Sequence, residues 1–150
     1  MRRWLWIGLF PLMIGCDVVE PTLLTGSVDE IPSEAFVNAA VSVLHQEGYT
    51  VVTVDRLGGI VTTDWRDESS FASQAFLDIF RRTRMSVVMD FLTDELQVQM
   101  TKQKKEGDSP WRNDGLSETD RQRMRLILER IRGKARAIHN QRGQTLAGSG

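Results

Sequence analysis

The chain has 150 residues, with 19 basic and 20 acidic side chains and a single cysteine. That length suits one domain able to bury its own core without disulfide staples. One cysteine excludes an internal disulfide and a zinc cluster built on several thiolates, and a net charge of −1 argues against a dedicated nucleic-acid binder, which needs a strongly basic surface.

Met1 to Gly15 reads MRRWLWIGLFPLMIG. Arg2 and Arg3 form a positive start, and Trp4 to Ile14 is an apolar run. The run is too short for a spanning helix, which takes about 20 residues, and suits the hydrophobic region of a secretory signal. Leu12-Met13-Ile14-Gly15-Cys16 resembles the lipobox of bacterial lipoproteins, in which a small residue, here Gly15, precedes the cysteine. The resemblance implies a signal peptide over 1–15, cleavage after Gly15, a diacylglyceryl group on the Cys16 sulfur and usually an N-acyl chain. A free thiol in an oxidising envelope is a liability; a thioether carrying lipid is not. Two or more chains anchor stably where one binds marginally. Asp17 resembles the inner-membrane retention signal of enterobacterial lipoproteins, a sorting rule that does not hold in all bacteria. The expected location is therefore the cell envelope, on the inner or the outer membrane and facing the periplasm.

Cleavage after Gly15 leaves 17 basic and 20 acidic residues, net −3. The charge is uneven: net −9 over Cys16–Gln97 and net +6 over Val98–Gly150. Residues 16–30 read as lipidated N-terminus and linker, with Pro21, Gly26 and no sustained period. Ser33–Glu47 reads as an amphipathic helix burying Phe36, Ala40, Val43 and Leu44, with Pro32 and Ser33 suited to its start and Gly48 to its stop. Tyr49–Asp55 alternates, with Val52 and Val54 on one face; Leu57-Gly58-Gly59 turns; Ile60–Trp65 is the return strand of a hairpin.

Ser69–Phe80 is ambiguous, either a short helix through Phe71, Ala75 and Phe76 or an irregular excursion. Arg82–Phe91 alternates, with Thr83, Met85, Val87, Met89 and Phe91 facing one way and Arg82, Arg84, Ser86, Val88 and Asp90 the other, the signature of a sheet with one buried and one wet face. Thr93-Asp94 turns into a fourth strand carrying Leu96, Val98 and Met100. Lys102–Gly115 is a polar loop with Pro110 and Trp111. Ser117 opens the last helix, where Glu118 and Asp120 complement the helix dipole and Met124, Ile127, Leu128, Ile131, Ala135 and Ile138 form the apolar stripe. Residues 140–150 read as a flexible tail. The expected fold is thus α+β: a four-stranded antiparallel sheet packed against two helices, a helix-grip-like two-layer sandwich in the order α-β-β-β-β-α, as one domain over residues 31–139.

Several local features recur together: helix–Gly48–Tyr49–strand–Asp55, then Gly59-Ile60-Val61-Thr62-Thr63-Asp64-Trp65, then the basic strand opening Arg81-Arg82-Thr83-Arg84-Met85-Ser86-Val87, then Trp111 ahead of the final helix. This set resembles the helix-grip domains of BamC-like envelope lipoproteins across Ile31–His139. BamC-like proteins carry two such domains and a long N-terminal stretch, whereas this chain has room for one domain and a short linker. The resemblance implies an accessory, non-catalytic envelope protein.

Candidate chemistry is sparse. His45 and His139 have no local link to a nucleophile, and a lipidated Cys16 is not one. Asp55, Asp64 and Asp90 lie on or near strands, as paired carboxylates for acid–base work or as turn and solvent-side acids. No His/Asp/Glu cluster has metal-ligand spacing, so no metal is expected, and no cofactor beyond the acyl chains on Cys16. The basic stripe of the last helix, with Arg121, Arg125, Arg132 and Arg136 on its solvent side, reads as a contact for lipid headgroups or an acidic partner, or as a solvated face balanced by the acidic front half. Trp65 and Trp111 read as core or rim residues, or as aromatic anchors for a partner. The expectation is a lipid-anchored periplasmic interaction module with an envelope protein as partner, in envelope or outer-membrane assembly. The alternative is a small-ligand or lipid carrier with a pocket between sheet and last helix. An enzyme ranks last.

Overall fold

The computed structural model describes residues 22–27 and 31–147; the stretch read as a signal peptide, Cys16 and Asp17 lie outside them. The described chain is α+β, in the order β1 (Thr22–Ser27), α1 (Ser33–Gln46), β2 (Val51–Asp55), β3 (Ile60–Thr63), β4 (Arg66–Asp67), α2 (Phe71–Leu77), β5 (Ile79–Asp90), β6 (Glu95–Glu106), β7 (Arg112–Asn113) and α3 (Glu118–Ala147). All pairings are antiparallel. The sheet runs β1-β6-β5-β3-β2, with β4 added to β5 and β7 to β6.

The α+β class and the antiparallel sheet follow the expectation; the count does not. Among the described residues the sheet has seven strands rather than four, and there are three helices rather than two. β1 falls within the stretch read as linker. Its residues Leu24 and Gly26 oppose Val98 and Leu96, and Leu24 packs against the core, which a six-residue strand of threonines, leucines and one glycine does not announce alone. β4 and β7 have two residues each, below the length at which alternation is visible. α3 runs on through Ala147, past the boundary expected at His139.

The long hairpin β5–β6 is the centre of the fold. Its register places Met85, Val87 and Met89 opposite Met100, Val98 and Leu96, and all six are buried. Above them lie Phe36, Ala40, Val43 and Leu44 of α1 and Met124, Ile127 and Ile131 of α3, equally buried. The two helices are antiparallel, since Glu34 at the start of α1 bonds Arg142 near the end of α3 and Glu47 just past α1 bonds Arg123. Gly48 ends α1 at φ 80°, as its position implied.

Three local features carry a physical reason. Ser117 and Asp120 form a reciprocal capping box at the start of α3, with Ser117 N–H donating to Asp120 Oδ2 at 2.8 Å and Asp120 N–H to Ser117 Oγ at 3.2 Å. A bulge between Val51 and Thr53 takes Val52 out of the ladder while Val54 pairs with Val61, so the alternation expected to hold the two valines on one face is broken; both are exposed at this sheet edge. The β2–β3 turn requires Gly59: at φ +64 a Cβ would stand 2.7 Å from the Phe91 ring and 2.8 Å from the Met89 carbonyl.

Candidate functional site

The helices cover one face of the sheet and leave the other open. The register puts Phe80, Arg82, Arg84, Ser86 and Val88 of β5 beside Lys105, Gln103, Thr101, Gln99 and Gln97 of β6 on that open face. Thr62 of β3 joins them opposite Ser86, and their hydroxyls stand 3.5 Å apart. The surface is rich in amide and hydroxyl groups, with its aromatic and basic side chains gathered at one end.

At that end Trp65 and Trp111 meet around Arg82. The Arg82 guanidinium stacks on Trp65, 4.3 Å from the ring centre, and on Trp111 at 4.1 Å. Arg84 stands over Trp65 at 4.9 Å, and Lys105 over Phe80 at 4.9 Å. The local cause is alternation. Asp67 opposes Arg82 across β4–β5, which sends Trp65, two residues earlier, to the same face; Asn113 opposes Gln103 across β6–β7, which does the same for Trp111. Gln103 fixes the arginine from below, its Oε1 accepting from Arg82 Nη2 at 2.8 Å and Nε at 3.1 Å. A recess of about 210 Å³ opens beside the stack, bordered by Asp67, Ser69 and Phe80 as well as both tryptophans. Ser69 holds the Asp67 carboxyl below the usual carboxylate range by side-chain and backbone hydrogen bonds, so the recess pairs a fixed cation with a fixed anion. Stacked guanidinium over indole is worth about 0.5–2 kcal/mol per pair, depending on desolvation. Each ring here keeps an accessible part, since both tryptophans are half-buried.

The α3 arginines belong to the other side of the molecule and do not join this cluster. Arg121 and Arg125 both bond Glu118, at 3.6 and 2.5 Å, and remain about half exposed, at 47% and 57%. Arg132 bonds Glu129 at 2.9 Å. Arg136 is exposed and makes an interaction of its own. The basic side chains that reach across to α1 and the segments beside it are others. Arg123 bonds Glu68 at 3.0 Å and reaches Glu47 at 3.8 Å, Arg130 pairs with Glu47, Lys134 Nζ donates to Ser42 at 2.5 Å, and Arg142 holds Glu34 at 2.8 Å. Arg66, paired with Glu68 and stacked on Tyr49 at 4.2 Å, extends this network to β4. Arg123, Arg130 and Arg142 of the positive back half are thus matched to carboxylates of the acidic front half within the fold.

The other candidate groups sit apart. Asp55 and Asp90 accept backbone N–H bonds from the turns they open, from Leu57 and Gly58 in one and from Leu92 and Thr93 in the other; the Leu92 N–H keeps the Asp90 carboxyl below its ordinary value. Asp64 bonds the N–H of Trp65 at 2.7 Å. His45 is exposed and borders an open groove of about 880 Å³ between α1 and β2, and His139 is exposed on α3. Among the described residues no three His, Cys, Asp or Glu side chains converge as a metal site.

Arg82 and Gln103 are the site residues that sequence reading left unmarked. Alternation put Arg82 on the wet face, but nothing local linked it to tryptophans 17 and 29 positions away. No family model matches the sequence, and no curated protein matches it. Among solved structures, a DUF4468 family protein from Bacteroides ovatus is similar over 85% of this chain and 83% of its own, at 11% identity and a TM-score of 0.44, a distance at which the likeness carries no argument about function.

Proposed function

We propose that this chain is a lipid-anchored envelope lipoprotein whose open sheet face binds a protein partner in the periplasm, without catalysis. The observation that carries the reading is the Trp65–Arg82–Trp111 stack on the uncovered face. Aromatic side chains and arginine are enriched at binding hot spots, and here they are held in fixed geometry by Gln103, which limits the entropy lost on binding. The anchor reading is supported by Arg2, Arg3, the apolar run and Gly15-Cys16. The carrier alternative is less favoured. Met85, Met89, Leu96 and Met100 on the sheet and Met124, Ile127 and Ile131 on α3 are at most 1% exposed, so side chains already fill the space where a ligand would lie.

Two measurements test the two halves. Cys16→Ser should move the protein from the membrane to the soluble fraction and remove the acyl mass; a membrane-bound variant of unchanged mass refutes the anchor. A photocrosslinker at Gln99, on the open face, should give a discrete adduct in intact envelopes. That adduct should fade with Arg84→Glu, and a crosslinker at Glu129 on α3 should not give it. An adduct indifferent to Arg84, or none at Gln99, overturns the interface.

A further inference from the structure

α2 is inside out for a helix of a folded domain. Its buried residue is Ser73, while Phe71, Phe76 and Leu77 are 82%, 81% and 65% exposed. Ala72 and Ala75 are exposed as well. At about 100° per residue, Phe71, Ala72, Ala75 and Phe76 share one face, away from Ser73. The face is firmly mounted. Ser70 Oγ accepts from Ser73 N–H at 3.1 Å, Arg81 N–H donates to Ser69 Oγ at 2.7 Å, and Gly107 N–H donates to the Asp78 carbonyl at 2.9 Å. An apolar face presented on a fixed support needs a cover.

The polarity of β1 indicates what that cover is. β1 enters the sheet with Thr22 opposite Met100 and leaves it with Ser27 opposite Glu95. The N-terminal end of β1 therefore points in the direction in which β6 continues, through Lys102 to Glu106. Ile79 pairs with Glu106 there, directly after α2. Cys16 precedes Thr22 by six positions, a reach of at most about 20 Å, and the six positions from Met100 to Glu106 cover about the same length of strand. The opposite end of the sheet also carries exposed leucines, Leu57 at 95% and Leu92 at 96%. They lie beyond the Ser27–Glu95 pair, at the end of the sheet opposite to the one that the start of β1 faces.

We propose that the apolar face of α2, led by Phe71 and Phe76, rests in the headgroup region of the bilayer that holds the Cys16 acyl chains, setting the α2 end of the domain on the membrane and the Leu57 and Leu92 hairpin tips away from it. The inference rests on the lipid-anchor reading. The contact is apolar in origin. Lys104, Lys105 and Arg112 at this end are set against Asp78, Glu106 and Asp108, and Lys104 already bonds Glu106 at 3.2 Å. So small a face suffices because the tether makes its insertion intramolecular, and aromatic side chains are favoured at the membrane interface.

The acylated full chain, reconstituted in vesicles of phosphatidylethanolamine and phosphatidylglycerol, provides the test. An environment-sensitive fluorophore is placed on Phe76→Cys or, separately, on Leu92→Cys; both sites are exposed, so the substitutions leave the core intact. Emission from position 76 should shift to the blue and be quenched by lipids bearing a nitroxide near the headgroup, while position 92 should report water. Position 76 reading water, or position 92 alone being quenched, overturns the orientation. Intact mass separates the two levels: an acylated protein with a water-exposed position 76 refutes this surface only, whereas a chain without acyl mass refutes the anchor and the surface together.

Discussion

At the residue scale, Asp120 carries more of the architecture than its position on a helix implies. It is 7% exposed and accepts from Lys102 Nζ at 2.7 Å, Ser117 Oγ at 2.7 Å and Ser117 N–H at 2.8 Å, pinning the start of α3 to β6. Burial pushes its carboxyl up, but the bonds from Lys102 and Ser117 outweigh burial and leave it below the ordinary 3.8. Because the folded value is depressed, the stabilisation is present above the ordinary value and is lost as pH falls through the folded one. Asp120→Asn should lower stability by about 1–3 kcal/mol at neutral pH. Its urea midpoint should also fall less steeply than the wild type's below about pH 4. Parallel acid slopes for the two proteins would refute the assignment. The acid at this position was legible as a dipole-complementing residue; its cross-link to Lys102 was not, because that bond joins positions 18 apart.

At the element scale, β5 and β6 were readable where apolar residues alternate, over Arg82–Asp90 and Leu96–Thr101, but β6 continues through Lys102–Glu106, read as polar loop because its lysines and glutamines carry no apolar period, and β4 and β7 were not readable at all. Yet these two short strands carry Trp65 and Trp111 to Arg82. Trp111→Ala should remove one side of that stack and part of the cover over Lys105 and Gln103. The expected loss is about 1–2 kcal/mol, seen as a lower urea midpoint with an unchanged slope and no change in the helical signal. A larger loss with a changed slope would mean that β7 holds the fold rather than the surface. α2 teaches the converse. Phe71, Ala75 and Phe76 have the spacing of a helix, but spacing does not say which face is buried, and here it is the serine side.

At the scale of the whole molecule, the separation of charge along the chain becomes a closure device. Glu34 of α1, Glu47 just past it and Glu68 just past β4 are answered by Arg142, Arg130 and Arg123 of α3, so the acidic front and the basic back are joined across the helix pair. The other closure is β1, which covers the β6 edge from Glu95 to Met100. Deleting Thr22–Ser27 should expose that edge and strip Leu24 from the core, lowering the melting temperature and promoting association through the freed strand. Unchanged melting and a monomeric hydrodynamic size would show that β1 is dispensable.

The sequence by itself determined the features that are local: the apolar run ending at Cys16, the stripes of α1 and α3, the hairpin glycines, and the inward methionines and valines of β5 and β6. Each is a period or a cap that spans a few residues, and burial of one face follows from it. Tertiary structure alone decided that Thr22–Ser27 closes an edge, that α2 turns its phenylalanines outward, that half of the α3 cations face α1, and that two tryptophans grip one arginine. These depend on strand register and on which surfaces compete for the core, and register is a relation between distant segments that no local period encodes.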